Sequence, residues 1–191
     1  MFPVDAFQAT VSRIVDILNQ HGIPFHLTGG VTSVIWGEPR LTQDIDIVVG
    51  NEALASQLDS FLNALSVSAF LFDAESVRSG VQRRRLFQLL DTQASLKLDV
   101  YPRELIPGEL SRSEWTEIFE GLRLPIASRS DAAASKLVWI SKGSHKSRRD
   151  LRKIHASASP SERELIQQLA AELHLEELLT EVLNESDEIL D

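Results

Sequence analysis

Apolar residues in the first half of the chain follow two different spacings. From Val4 to Gln20 they recur every three or four positions, which is typical of an amphipathic helix. Short runs rich in β-branched and aromatic residues follow and predict strands at 24–28, 44–49, 85–90 and 96–101. Helical spacing between the first three strands predicts helices at 31–36 and 52–65. Because the last two strands are joined by a short connection, we expect them to form an antiparallel hairpin.

The periodicity changes after Pro102. Residues 105–122 predict a loop with one short helix. Residues 122–126 predict a final edge strand, because Pro125 cannot donate a backbone hydrogen bond. Cap residues and helical spacing then predict further helices, which open at Ser130-Asp131, near 147 and at Ser159-Pro160. The apolar faces of the last helices are marked by Leu165, Leu169, Leu173, Leu178, Leu179 and Val182.

Together these elements predict an α+β fold in two parts. A mixed sheet flanked by helices forms a first domain over residues 1–127. A helical C-terminal region, residues 128–191, is expected to pack on it. The chain shows neither an internal repeat nor a low-complexity segment.

The composition narrows the class of protein. Acidic residues outnumber Lys and Arg by 28 to 19, a net charge of -9, so we expect no extended DNA-binding surface. No stretch approaches the roughly 20 apolar residues of a membrane helix, and the N-terminus lacks the basic start of a secretory signal. We therefore expect a cytoplasmic protein that does not enter a membrane. Because cysteine is absent, any metal has to be bound by oxygen or imidazole ligands.

Two carboxylates share one face of the clearest predicted strand. Asp44 and Asp46 are two residues apart, so both side chains point away from the apolar residues that alternate with them. Asp99 lies on another alternating strand, on the same face as Lys97 and Tyr101. If the two strands are neighbours, three carboxylates converge, and such a cluster favours a cation of the kind that oxygen ligands suit, Mg²⁺. The alternative is that the aspartates form only the solvated face of an amphipathic strand.

A glycine pair, Gly29-Gly30, lies between a predicted strand and a predicted helix. Backbone amides at such a turn can bind phosphate oxygens, and Thr32 and Ser33 add hydroxyl groups there. The alternative is an ordinary turn. Because the glycine pair and the aspartates belong to consecutive strands, we expect phosphate and metal ligands at the same end of the sheet.

The combined motifs resemble those of a known superfamily. Polymerase-β-type nucleotidyltransferases have a signature in which a Gly-Gly or Gly-Ser loop is followed by a DxD strand. Residues 27–49 of this chain resemble that signature, with the sequence LTGGVTSVIWGEPRLTQDIDIVV. The strand that carries their third acid is similar to KLDVY. Minimal bacterial nucleotidyltransferases, which include antibiotic nucleotidyltransferase-like and abortive-infection toxin groups, have an RxTxDxD run that resembles RLTQDID. The fourth motif of the toxin group resembles SKLVWISKGSHKSRRDLRKI, so the resemblance covers about residues 22–155.

This resemblance implies a nucleotidyltransferase-like fold and nucleotidyl transfer from a nucleoside triphosphate (NTP) with Mg²⁺, or with Mn²⁺ in its place. It assigns Asp44 and Asp46 to the metal. Asp99 completes the site, either as a ligand of a second metal ion or as the acceptor of the substrate proton. The implied nucleotide-binding residues are Gly29, Gly30, Thr32, Ser33, Arg40, Thr42, Lys136, Arg149 and Asp150. One departure is that Gly30 stands where the family often has serine, so that a neighbouring hydroxyl has to substitute.

Six basic residues lie between positions 142 and 153 of this otherwise acidic chain. Such a cluster is compatible with a solvated helical face. It is also compatible with a phosphate site in which Lys136 and one or two of the six neutralise the triphosphate or an acceptor phosphate. Asp150 would then pair with a basic neighbour or orient it.

The motifs leave three functional hypotheses open. The first is an enzyme that transfers a nucleotide from an NTP to a hydroxyl group on a small molecule, a protein or an RNA. The second is a catalytically silent nucleotide- or partner-binding module on the same fold. The third is the toxin of a toxin–antitoxin pair, that is, an enzyme with a dedicated inhibitor. The presence of all three acids favours an enzyme.

Overall fold

The computed structural model describes residues 4–37 and 44–185. Contacts group the chain into two compact units. The described part of the first unit is 4–31 with 44–127, and that of the second is 32–37 with 128–185. Residues 32–37, which the sequence assigned to the first domain, therefore group with the helical region.

The first unit is built around a mixed β-sheet. Its helices are α1 (Val4–Gln20), α2 (Gly30–Trp36, which continues into the second unit), α3 (Asn51–Ser56), α4 (Leu58–Ser66), α5 (Ala74–Arg83) and a short 3-10 helix (Glu109–Arg112). Within the described residues, its strands are β1 (Phe25–Thr28), β2 (Asp44–Val49), β3 (Phe70–Leu71), β4 (Phe87–Asp91), β5 (Leu96–Tyr101), β6 (Glu114–Phe119) and β7 (Leu122–Ile126). They lie in the order β3-β4-β5-β2-β1-β7-β6.

Strand pairing brings the motif-bearing strands side by side. β2 runs antiparallel to β1 and parallel to β5. β5 also pairs with β4, so the predicted antiparallel hairpin is confirmed. β1 pairs in parallel with β7 on its other side. The predicted α+β class, a mixed sheet flanked by helices, is confirmed as well.

Alternation along the central strands separates apolar from acidic side chains. Ile45 and Ile47 on β2 and Leu98 on β5 are completely buried. Burying each such side chain contributes about 1.5–3 kcal/mol to folding. Because the period of a strand is two, the same packing that buries these residues turns Asp46 and Asp99 to the opposite face.

One helix escaped the sequence analysis. α5 begins after Asp73, whose carboxylate accepts a hydrogen bond from the Ser76 amide at 2.6 Å and caps the helix. Its only buried apolar side chains are Val77 and Val81, so its periodic signal is weak. The helix predicted at 52–65 is also interrupted, since α3 ends before Gln57 and α4 begins after it.

The edge of the sheet lies one strand further out than predicted. β6 pairs antiparallel with β7, so the predicted loop before residue 122 contains a strand, and the prediction of an edge strand at 122–126 is wrong. No residue of β6 is buried. The strand therefore lacks the alternation of apolar and polar residues that would have revealed it.

The described residues of the second unit contain four further helices, α6 (Arg129–Ser141), α7 (Lys146–Ala156), α8 (Pro160–Glu172) and α9 (Glu176–Leu183). The cap of α6 is Ser128 rather than the predicted Ser130, because the Ser128 hydroxyl accepts from the Asp131 amide. The core of this unit consists of apolar side chains from all four helices: Ala133, Leu137, Ile140, Leu151, Ile154, Ile166, Ala170, Leu179 and Val182. No helix among the described residues has the length and apolar character needed to cross a membrane.

Candidate active site

The turn after β1 is shaped around an aspartate. Gly29 has φ +63°, a left-handed conformation that side chains disfavour, and α2 begins at the next residue. The backbone amide of Gly30 donates a hydrogen bond to the carboxylate of Asp46. The predicted strand–turn–helix around the glycine pair is therefore present, and the pair touches a carboxylate. Its role in binding a nucleotide stays a prediction.

Register places the three predicted acids on one side of two adjacent strands. Asp46 lies opposite Asp99 across the parallel β2–β5 pair, and Asp44 lies opposite Lys97. Thr28, the last residue of β1, lies opposite Asp46 on the other side. The side chain of Asp99 is 12% exposed, whereas that of Asp44 is 49% exposed. The acids therefore form a cluster with one sheltered and one open carboxylate.

Three polar side chains hold these carboxylates in place. Gln88 Nε2 on β4 donates to Asp99 Oδ1 at 2.9 Å. The Tyr101 hydroxyl donates to Asp46 Oδ1 at 3.3 Å. Lys97 Nζ lies 3.3 Å from Asp99 Oδ2 and 3.6 Å from Asp44 Oδ1, so its ammonium bridges two of the acids.

The electrostatic environment of Asp46 disfavours its ionised form. Burial raises the pKa of Asp46, and the negative charges of Asp99 and, to a smaller extent, Asp44 raise it further. Hydrogen bonds from Gly30 and Tyr101 only partly oppose these effects. A cation bound at the cluster would relieve this repulsion.

The pKa values of two groups that donate to the acids, Lys97 and Tyr101, are raised as well. Partial burial lowers the pKa of Lys97, but the hydrogen bond and charge of Asp99, together with Asp44, outweigh it, so the pKa is raised. Burial and the charge of Asp46 raise the pKa of Tyr101. Tyr101 is thus a neutral donor and Lys97 a permanent cation at neutral pH.

The cluster has the ligand atoms of a divalent-metal site, but they are not arranged around a metal position. Among the described residues, no group of three or more His, Cys, Asp or Glu side chains is arranged so that it could hold a metal ion. Asp44, Asp46 and Asp99 nevertheless offer only oxygen ligands, which Mg²⁺ prefers, and the negative charges of Asp99 and Asp44 add to the effect of burial in raising the pKa of Asp46. The donor set therefore fits Mg²⁺, although the carboxylates have to close around it.

A second polar cluster lies in the helical unit. Lys136 Nζ on α6 is 2.9 Å from Asp150 Oδ2 on α7, and the Ser33 hydroxyl donates to the same oxygen at 3.0 Å. Thr32 and Ser33 are buried. The structure thus joins three of the residues predicted from the motifs, although their predicted contact with a nucleotide is untested.

The remaining predicted nucleotide-binding residues are Arg40, Thr42 and Arg149. Arg149 is exposed on α7. Arg40 and Thr42 lie outside the described residues. In the basic cluster, Arg148 pairs with Glu181 at 2.9 Å and also with Glu185, and Arg152 pairs with Glu185 at 2.6 Å. For Arg148 and Arg152, these pairs within the unit favour a structural role over a phosphate site.

A family model matches residues 14–187, and the family is described as "Nucleotidyl transferase AbiEii toxin, Type IV TA system". The chain belongs to this family. Membership in the AbiEii nucleotidyl transferase family makes the protein a nucleotidyltransferase and supports a toxin–antitoxin role, and it confirms the resemblance to the abortive-infection toxin group. No curated protein sequence matches the chain significantly.

Solved nucleotidyltransferase structures have a similar fold to this AbiEii family member. The solution structure of the antibiotic-resistance factor ANT(2'')-Ia has a TM-score of 0.59 at 13% identity, covering 95% of this chain and 97% of that one. ANT(2'')-Ia in complex with adenylyl-2''-tobramycin has a TM-score of 0.56 at 12% identity, over 86% and 97% of the two chains. An antigenic nucleotidyltransferase-like protein from Paracoccidioides brasiliensis has a TM-score of 0.54 at 17% identity, over 95% and 94%. At such low identities the likeness shows the fold alone, which is the predicted nucleotidyltransferase-like one.

The sequence analysis did not identify two polar residues of the cluster. Lys97 was placed on the face of Asp99 by alternation, but its contact with Asp44 depends on the register between β2 and β5. Gln88 reaches Asp99 because the two residues are opposite each other in the β4–β5 hairpin. The register of the predicted hairpin would have paired Gln88 with Asp99. The parallel register of β2 and β5, in contrast, has no local sequence signal.

Proposed function

We propose that the protein is a Mg²⁺-dependent nucleotidyltransferase that moves a nucleoside monophosphate from an NTP to a hydroxyl group of an acceptor. The observation that carries this proposal is the register that places Asp44, Asp46 and Asp99 on one face of adjacent strands. Family membership supports the reaction class. The metal, the NTP and the acceptor are the proposed part.

The roles proposed for the acids are those that the resemblance to polymerase-β-type nucleotidyltransferases implies. Asp44 and Asp46 would hold the divalent ion, with Mn²⁺ able to replace Mg²⁺. When bound, the ion would neutralise charge on the triphosphate and on the leaving group. Asp99, oriented by Gln88, completes the carboxylate set as a ligand of a second ion or as the base. Gly29 and Gly30 keep the turn close to Asp46.

The proposed transfer is a single displacement at the α-phosphorus of the NTP. The acceptor oxygen forms a bond to the α-phosphorus, while the bond from that phosphorus to the oxygen of the β-phosphate breaks and pyrophosphate leaves. The hydroxyl proton passes to Asp99 or to solvent.

The acceptor and the inhibitor belong to the proposal as well. The acceptor is a hydroxyl-bearing small molecule, protein or RNA. As a member of a toxin family, the protein is proposed to have an antitoxin that blocks this transfer. Co-expression of a small regulator encoded beside it should abolish the transfer if the regulator is that antitoxin.

The test begins with nucleotide binding. ATP, GTP, CTP and UTP would be titrated calorimetrically with Mg²⁺ into the wild type, into Asp44→Asn/Asp46→Asn and into Asp5→Asn/Asp16→Asn. The last variant removes the same charge from two exposed positions of α1. We expect one NTP to bind the wild type and the control, only with Mg²⁺, and not to bind the double variant of the cluster.

The bound NTP, labelled at its α-phosphate, would then be incubated with RNA, protein and small-molecule fractions. Label transfer with release of pyrophosphate supports the proposed enzyme. Binding without transfer or pyrophosphate release supports the silent module instead. Absence of any nucleotide binding to the wild type contradicts the proposed enzyme and favours a partner-binding module on the same fold.

A further inference from the structure

Lys97 occupies an unusual position for a surface lysine. It lies on β5 two residues before Asp99 and directly opposite Asp44 on β2. Its ammonium is 3.3 Å from one carboxylate and 3.6 Å from the other. The Lys97 ammonium thus bridges carboxylates on adjacent strands, as a divalent ion bound to the same cluster would do.

We propose that Lys97 is a built-in counter-ion that occupies a cation position between Asp44 and Asp99, and that a divalent ion has to displace its ammonium to bind there. This inference rests on the proposed function, because it concerns the metal of the same acidic cluster. It adds to that function a residue that limits how tightly the free metal ion binds.

Charge and geometry support the competition. The ammonium neutralises part of a cluster in which three aspartates repel one another. A divalent ion that approaches Asp44 and Asp99 meets the positive charge of Lys97 until that side chain moves. Repulsion between the two cations therefore weakens metal binding while the ammonium remains in place.

The side chain has room to move. Lys97 is 39% exposed, so its flexible stem can carry the ammonium into solvent without burying a charge. Asp99, in contrast, is held by Gln88 on the opposite oxygen, so the carboxylate keeps its position when the ammonium leaves. The exchange needs movement of two exposed side chains, Lys97 and Asp44, and no change in the sheet.

The first readout is metal affinity without nucleotide. Free Mn²⁺ would be measured by electron paramagnetic resonance during titration into the wild type, Lys97→Met, Lys97→Arg and Lys146→Met. Lys146 is an exposed lysine at the start of α7, so its loss changes the net charge equally. We expect Lys97→Met to bind Mn²⁺ about five- to tenfold more tightly, because an exposed charge at this distance is only partly screened. Lys97→Arg and Lys146→Met should bind as the wild type does.

The second readout is thermal stability in a chelator. In EDTA, Lys97→Met should melt at a lower temperature than Lys146→Met, because the carboxylates lose their counter-ion. Adding Mn²⁺ should then raise the melting temperature of Lys97→Met by more than it raises that of the wild type. This difference does not depend on catalysis. It also shows whether the variant is folded.

The outcomes separate this inference from the proposed function. If all four proteins bind Mn²⁺ with equal affinity and melt alike in EDTA, the counter-ion role is overturned and the metal site stands. If Lys97→Met binds Mn²⁺ more weakly, Lys97 organises the site and the competition is overturned. If no protein binds Mn²⁺ with or without NTP, both the competition and the metal-dependent function are overturned.

Discussion

A β-carbon on Gly29 would lie 1.9 Å from Oδ2 of Asp46 and 2.5 Å from its Cγ. Both distances are far inside van der Waals contact. The turn after β1 and the side chain of Asp46 therefore fit together because position 29 has no side chain. The glycine motif and the DxD motif, which are separate in sequence, therefore pack directly against each other.

Replacement of Gly29 should impair NTP binding more than it destabilises the protein. Gly29→Ala places a methyl group where the Asp46 carboxylate lies, so we expect Mg²⁺-dependent NTP binding to fall below detection. Its backbone strain at φ +63° should cost about 1–2 kcal/mol in the free energy of unfolding. Calorimetry and urea denaturation measure the two effects separately.

Gly22 offers a matched control for this substitution. It has φ +62°, and a β-carbon there would meet nothing within 4 Å. Gly22→Ala should therefore lose the free energy of unfolding that comes from backbone strain alone and keep NTP binding. If both variants lose NTP binding equally, backbone strain rather than the contact with Asp46 explains the effect.

Gln88 is a positioning residue for Asp99. Its amide holds one carboxylate oxygen at 2.9 Å, on the side opposite Lys97. Gln88→Ala should lower kcat about 10-fold or more with little change in KM, in the range found for residues that orient a metal ligand. Gln82→Ala on the exposed side of α5 is the control and should have wild-type kinetics. Equal kcat values in the two variants would show that Asp99 does not depend on Gln88.

The success of the sequence analysis depended on whether a feature was local. Asp44 and Asp46 share a face by strand alternation alone, and α1 has its predicted bounds because its apolar residues keep one period over 17 residues. The capping box of α8, in which Ser159 and Glu162 exchange hydrogen bonds, was also visible as a local motif. Such features need no knowledge of the rest of the fold.

The features that escaped prediction are those that depend on distant residues. The contact between Lys97 and Asp44 requires the parallel register of two strands separated by about fifty residues of chain. β6 forms because β7 offers it a partner, although it buries no residue of its own. The side-chain hydrogen bond from Ser33 to Asp150 joins positions 117 residues apart. None of these has a sequence period that could have revealed it.

The Lys136–Asp150 pair has a structural role that can be separated from nucleotide binding. Both side chains are largely buried, at 9% and 14% exposure, and their charged atoms are 2.9 Å apart. Lys136→Met should cost about 2 kcal/mol in the free energy of unfolding, because a sheltered carboxylate loses its cation. The double variant Lys136→Met/Asp150→Leu should recover part of this loss, with a coupling energy of about 1–2 kcal/mol. Urea denaturation of the two single variants and the double variant measures the coupling.

The same variants test the predicted phosphate role of Lys136. If Lys136 contributes to NTP binding, the stabilised double variant should still bind the NTP at least about 10-fold more weakly than the wild type. Arg78→Met, which removes an exposed cation from α5, is the control and should bind normally. Full recovery of NTP affinity in the double variant would show that Lys136 acts only through folding.

The stability of the helical unit should depend on pH through Glu162. Burial tends to raise the pKa of Glu162, but its bonds with Ser159 and the nearby Arg129 guanidinium, 3.1 Å away, outweigh this and hold the pKa below its usual value. Because the folded state binds the proton less readily than the unfolded state, the stabilisation is present above about pH 4.5 and is lost as the pH falls through the folded-state pKa. Glu162→Gln should therefore be less stable than the wild type by roughly 0.5–1 kcal/mol near neutral pH, after allowance for solvent screening.

Urea denaturation between about pH 3 and pH 7 measures this difference. The gap between the wild type and Glu162→Gln should begin to narrow as the pH falls below about 4.5 and should close below the lowered folded-state pKa, where the wild-type carboxylate also becomes neutral. Glu164→Gln, at an exposed position of the same helix, should follow the wild-type curve because its carboxylate does not take part in the capping box. A gap that stays constant over the whole range would mean that shape rather than charge distinguishes glutamate from glutamine at position 162.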